Sequence, residues 1–103
     1  MSHLLEIEYC RMCRWTLRAF WLAQELLQTF EEDFSEVRML PNTGGHFKVR
    51  VDGQEIWCRK ADHGFPEPKV LKQRVRQVID PERDLGHIDR DHANDTAANA
   101  SPN

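Results

Sequence analysis

Cys10 and Cys13 bracket Arg11 and Met12, and a thiol pair at this offset supports two chemistries, disulfide exchange or metal ligation. For exchange, the offset brings the sulfurs close enough to form a short-loop disulfide. One thiolate then attacks a substrate and the other resolves the mixed disulfide, without a cofactor. For ligation, Cys58 and His63 would join Cys10 and Cys13 in a Cys₃His zinc set. A third reading makes both cysteines packing residues of a non-catalytic adaptor domain.

Elements around the pair decide among these readings. Leu5, Ile7 and Tyr9 alternate with Glu6 and Glu8, which predicts a strand from Leu4 to Tyr9 that delivers Cys10 at its end. Trp15, Ala19, Leu22, Leu26 and Phe30 then recur at helical spacing, joined by Phe20, Ala23 and Leu27, predicting a helix from about Met12 to Glu32. Trp15 and Trp21 read as core, with Trp15 near the thiols. A helix N-terminus beside the pair offers free N–H groups and a partial positive charge, both of which lower a thiol's pKa. Arg11, Arg14 and Arg18 add positive potential. Zinc knuckles turn tightly around their cysteines, usually at glycine, whereas Arg14-Trp15-Thr16-Leu17 runs directly into the helical pattern.

A second strand is predicted over Phe34 to Leu40, followed by a turn-forming loop from Pro41 to Gly45. Phe47, Val49 and Val51 alternate with Lys48 and Arg50 up to Asp52-Gly53, a hairpin signal, and Gln54 to Arg59 returns antiparallel. A two-residue turn pairs Val51 with Gln54, Val49 with Ile56 and Phe47 with Cys58 on the oily face. On the charged face it sets Arg50 against Glu55 and Lys48 against Trp57. Cys58 is thereby expected in the core as a small hydrophobe, and Trp57 on the charged face as a contact point for an adaptor. A last helix runs from Pro68 to Asp80, with Leu71, Val75, Val78 and Ile79 as its apolar stripe. The order β-α-β, hairpin, α gives a four-stranded mixed sheet. Glu6, Glu8, Lys48, Arg50 and Arg59 argue that its helices cover one face only, a two-layer α/β sandwich.

At 103 residues the chain is long enough for one domain, placed at residues 1–84, with 85–103 expected to be a polar, disordered tail. Residues 1–79 carry 12 basic and 11 acidic side chains, so no electrostatic case for nucleic acid arises. No apolar run has the length of a membrane span, and Met1-Ser2-His3-Leu4-Leu5-Glu6 lacks the form of a secretory signal. The expected compartment is the cytoplasm, where three cysteines suit catalysis or metal binding better than a structural disulfide framework. His46 falls on the solvated sheet face and His87 and His92 in or near the tail. None has a Ser or Cys partner at a spacing that suggests a hydrolase.

The run Ile7-Glu8-Tyr9-Cys10-Arg11-Met12-Cys13-Arg14-Trp15 resembles the selenoprotein W family, the Rdx group that also includes selenoproteins T and H. The likeness continues through Gln24-Glu25-Leu26-Leu27, Phe47-Lys48-Val49, Asp52-Gly53 and Gly64-Phe65-Pro66-Glu67, covering about residues 4 to 80. The sequence looks like a bacterial, selenium-free member. This resemblance implies a thioredoxin-like fold and a thiol oxidoreductase role without a bound cofactor. It sets Cys13 where relatives carry selenocysteine, which favours Cys13 as the attacking sulfur toward peroxide and Cys10 as the resolving one. Thioredoxin logic favours Cys10 instead, as the more exposed thiol. Tyr9, Arg11, Met12, Arg14 and Trp15 are expected to border the site. Pro41 is the candidate for the proline loop that such folds place beside the disulfide, with Gly45 closing that loop. Glutathione or a thioredoxin-type protein fits as reductant and a protein thiol or disulfide as partner; monomer and homodimer both remain open.

Overall fold

Leu5 and Ile7 are fully buried while Glu6 and Glu8 face out, so the alternation read from the sequence becomes strand β1, His3–Cys10, in the computed structural model. The structure describes residues 2–86 together with Ile88 and Asp89. After β1 come helix α1 (Thr16–Thr29), strands β2 (Phe34–Asn42), β3 (Phe47–Val51) and β4 (Gln54–Cys58), a single-turn helix α2 (Arg59–Asp62) and helix α3 (Pro68–Ile79). The sheet order is β2-β1-β3-β4. β1 pairs parallel with β2 and antiparallel with β3, and the Asp52-Gly53 turn joins β3 to β4. Both long helices pack on one sheet face, giving the two-layer mixed α/β architecture.

The core is the inner sheet face, Leu5, Ile7, Phe47, Val49 and Val51, closed by Ala19, Leu22 and Leu26 of α1, Phe30 beyond it, and Leu71 and Val75 of α3. Each large aliphatic side chain buried here contributes about 1.5–3 kcal/mol relative to exposure. On the outer face the charged positions form a ladder. Arg50 reaches Glu6 at 3.2 Å and Glu8 at 3.1 Å, and Arg38 reaches Glu36 at 2.9 Å and Glu6 at 3.6 Å. These cross-strand pairs keep the uncovered face polar and hold β1 between β2 and β3.

The predicted helix start moves from Met12 to Thr16. Arg14 takes a left-handed φ of 63°, which no helix continues through, and Trp15 stands at the N-cap. The far end also retreats, because Phe30 turns its buried ring against Phe34 and the chain bends over residues 30–33 before entering β2. Trp21, expected in the core, is 46% exposed; its position falls outside the Ala19, Leu22, Ala23, Leu26 stripe.

The hairpin register is corrected by a bulge. Arg50 faces Glu55 as predicted, but Val49 then faces Trp57 and Lys48 faces Cys58, leaving Ile56 as the extra residue. Beyond Ile56 the faces exchange. Trp57 enters the core at 8% exposure, its Nε1 donating to the Gly64 carbonyl at 2.9 Å and its ring 4.5 Å from the Arg74 guanidinium. Cys58 moves to the outer side beside Lys48 and is half-buried. Burying an indole is worth on the order of 4–5 kcal/mol, several times the net value of one ladder hydrogen bond, which is why the bulge wins. Arg59 also leaves the charged face for α2.

Past α3, Leu85 packs against the core, and Asp89 accepts from Arg76 at 2.8 Å and from the Leu85 N–H at 2.9 Å. His87, His92 and the rest of the expected tail, residues 90–103, lie outside the described residues.

Candidate redox site

β1 carries Cys10 at its last position, where it pairs with Asn42 of β2. The Arg11 N–H donates to the Asn42 carbonyl at 2.9 Å, and the chain then turns over residues 11–14. Arg14 donates its N–H to the Arg11 carbonyl at 3.1 Å and Trp15 to the Cys10 carbonyl at 3.4 Å. This turn sets the Cys10 and Cys13 Cα atoms 5.4 Å apart, and their sulfurs are bonded as a disulfide. Its two ends differ in access: Cys10 is 1% exposed, whereas Cys13 is exposed with Arg11, Met12 and Arg14 around it. The premise that Cys10 is the more exposed thiol is thus reversed.

The pair lies on the turn ahead of α1 rather than on the helix itself. Cys13 stands two residues before the N-cap, and the first turn of α1 holds no acidic residue to offset its partial positive charge. Tyr9 is buried beneath the turn, edge-on to Phe20 with ring centroids 6.3 Å apart. Trp15 meets Phe65 at 4.9 Å and Phe47 at 6.3 Å, both edge-to-face. Arg59 stacks 4.9 Å from the Trp15 ring and Arg18 4.1 Å from that of Phe65. Sequence reasoning singled out Trp15 and missed Phe65, Arg18 and Arg59 as its supports. Gly64-Phe65-Pro66 carried the one available signal, an aromatic held in a loop by glycine and proline.

Pro41 lies in β2 opposite Tyr9, and no cis peptide bond occurs among the described residues. The group next to Cys10 is Asn42. Its side chain donates to Glu8 at 2.5 Å while its carbonyl receives the Arg11 N–H. Burial pushes the Glu8 carboxyl up, but hydrogen bonds from Asn42 and Arg50 outweigh it and hold the pKa below the ordinary value. Gly45 takes a φ of 74°, and a Cβ there would meet open space, so it presses on neither thiol.

The Cys₃His set is not assembled. Cys58 follows the bulge to the outer side of β4, and no three His, Cys, Asp or Glu residues among those described are grouped so as to hold a metal ion. No helix among the described residues is long and apolar enough to cross a membrane.

A mixed sheet with both long helices on one face and a Cys-x-x-Cys turn between β1 and α1 is the arrangement the sequence resemblance implied. The sequence model of the Rdx family matches residues 4–77. The chain belongs to the Rdx family. Its fold is thioredoxin-like and close to that of solved relatives. The crystal structure of a selenoprotein W-related protein from Vibrio cholerae superposes with a TM-score of 0.76 at 54% identity, over 78% of this chain and 100% of that one. A protein from Bordetella parapertussis gives 0.74 at 51% identity, over 77% of this chain and 100% of its own. No functionally curated protein matches the chain. Rdx membership and the bonded Cys10–Cys13 pair fit a small redox protein.

Proposed function

We propose that this Rdx protein is a cytoplasmic thiol–disulfide oxidoreductase that cycles Cys10 and Cys13 between dithiol and disulfide. The observation that carries the reading is the unequal pair: bonded sulfurs, one at 1% exposure and the other open to solvent. Cys13 attacks and is attacked; Cys10 resolves. With a peroxide, the Cys13 thiolate takes one oxygen to become a sulfenic acid and the peroxide leaves as an alcohol or water. The Cys10 thiol then displaces water and closes the disulfide. For reduction, an incoming thiolate bonds to Cys13 Sγ and Cys10 leaves as the thiolate. A second thiolate releases Cys13 and carries away a new disulfide. Glutathione or a thioredoxin-type protein supplies those two thiols, so no bound cofactor is required.

The experiment is trapping with dimedone, a sulfenic-acid reagent, after peroxide treatment of reduced single variants. Cys10→Ser is expected to yield an adduct at Cys13, and Cys13→Ser none. An adduct in Cys13→Ser alone would reverse the assignment. Wild-type protein that keeps both thiols through peroxide and disulfide treatment would refute the redox function.

A further inference from the structure

Four large apolar side chains are exposed among the described residues, and they are neighbours. Leu17 is 85% exposed, Met12 69%, Trp21 46% and Phe20 42%. Leu17, Phe20 and Trp21 stand at i, i+3 and i+4 on α1, one helix face. Met12 and Leu17 line one open groove with Arg11, Arg14 and Thr16, and Phe20 leans edge-on against Tyr9, the residue before Cys10. The strip thus starts at the redox turn and runs outward along the helix. Single exposed apolar residues are ordinary, but a contiguous strip beside the one exposed sulfur of the disulfide marks an interaction surface.

The charge around the strip selects its occupant. From Tyr9 to Gln24 the chain holds three arginines, Arg11, Arg14 and Arg18, and no carboxylate, in a protein of net charge −3. Arg11 and Arg14 are exposed and line the same groove as Met12 and Leu17, while Arg18, also exposed, stacks on Phe65; the first turn of α1 has no acidic residue. A second copy of this chain docked face to face on a two-fold axis would set these arginines against their own counterparts, a like-charge juxtaposition that costs several kcal/mol. A partner carrying carboxylates beside apolar side chains meets both features at once.

We infer that the Met12, Leu17, Phe20, Trp21 face, with its arginine rim, is the docking surface for a protein thiol or disulfide partner whose reactive cysteine lies among acidic and apolar residues. This rests on the redox reading above and names the class of partner for the same site. Docking on α1 brings the partner thiolate to Cys13 Sγ. The partner–Cys13 bond forms as the Cys10–Cys13 bond breaks, and Cys10 leaves as a thiolate that takes its proton from water. A second partner thiol then releases Cys13, so two thiols are oxidised to one disulfide as the protein disulfide is reduced.

The test measures rate constants for reduction of the oxidised full-length protein by two synthetic nonapeptides, each with one central cysteine. One flanks it with Glu and Leu, the other with Lys and Ser, and 2-mercaptoethanol serves as a neutral reference. Rates are corrected for each thiol's measured pKa. The Glu/Leu peptide is expected to react about tenfold faster than the Lys/Ser peptide at low salt. That ratio should shrink when salt rises from about 10 mM to about 1 M, which cuts the screening length from about 30 Å to about 3 Å. In a Leu17→Ser/Trp21→Ser variant the ratio should fall at low salt as well. Equal rates for the two peptides, or a faster Lys/Ser peptide, would overturn the docking surface while leaving the redox reading intact. A disulfide opened by none of the three thiols would overturn both. Concentration-dependent dimerisation that buries Trp21 would assign the face to a second copy and also overturn the proposal.

Discussion

Cys10 and Cys13 share one disulfide, yet Cys10 is 1% exposed and Cys13 lies open on the turn. The cause is their different supports. Cys10 is the last residue of a central strand, fixed by pairing with Asn42. Cys13 sits on a turn that Arg14 ends with a left-handed φ of 63°. Burial thus leaves Cys13 as the accessible end of the pair, the difference on which the proposed division between attack and resolution rests.

Alkylation of the reduced single variants should follow that division. In Cys10→Ser, the Cys13 thiol is expected to react with iodoacetamide about tenfold or more faster than the Cys10 thiol does in Cys13→Ser. The difference should vanish in denaturant. Quantification by mass spectrometry, with Cys58 as an internal reference, reads the ratio, and equal native rates would show that the reduced site opens to expose both sulfurs.

The two faces of α1 should respond oppositely to truncation. Leu22→Ala removes a fully buried side chain from the core and is expected to cost about 2–5 kcal/mol. Leu17→Ser, at an 85% exposed position, should stay within about 0.5 kcal/mol of wild type. Urea unfolding of both variants checks the pair. A large loss from Leu17→Ser would mean that Leu17 is packed rather than offered to a partner.

Asp89 ties the segment after α3 to the domain. Hydrogen bonds from Arg76, then from the Leu85 N–H, hold its pKa at about 2, below the ordinary 3.8. A carboxylate depressed on folding stabilises fully above its unfolded pKa, and that contribution is lost as pH falls through the folded value. Asp89→Asn should therefore lower Tm above about pH 4, with the gap to wild type closing toward pH 2. Thermal unfolding across that range provides the measurement. A gap independent of pH would show that charge is not what Asp89 contributes.

Most of this architecture is legible in residue pattern. Leu5-Glu6-Ile7-Glu8-Tyr9 alternates because one sheet face is bare, and Asp52-Gly53 sets a turn that fixes Arg50 opposite Glu55. Strict alternation fails at Ile56-Trp57, two adjacent apolar residues that both enter the core by way of a bulge. That adjacency is the visible sign of the bulge; the Gly64 carbonyl that receives the buried indole N–H lies seven residues away, a contact that no strand pattern encodes. The helix start is less legible. Arg14-Trp15-Thr16-Leu17 has helical composition, yet the chain turns over residues 11–14 and Arg14 takes a left-handed φ of 63° before the helix begins, a backbone choice that composition does not encode. Cys10 and Cys13 themselves were plain from spacing, whereas their unequal burial depends on where β1 ends against Asn42.

A reversible two-electron couple between Cys10 and Cys13 is read out by equilibrating the full chain in glutathione redox buffers, with acid quenching and counting of free thiols by mass. The expected result is loss of the Cys10 and Cys13 thiols together in one transition, a tenfold change in equilibrium constant for each roughly 30 mV, while Cys58 stays reduced. A midpoint below the cytosolic poise of about −220 to −320 mV would mark a reductant, and one well above it an oxidant or sensor. Thiols at Cys10 and Cys13 that persist at every poise, or that acquire separate glutathione adducts without ever joining, would contradict the account.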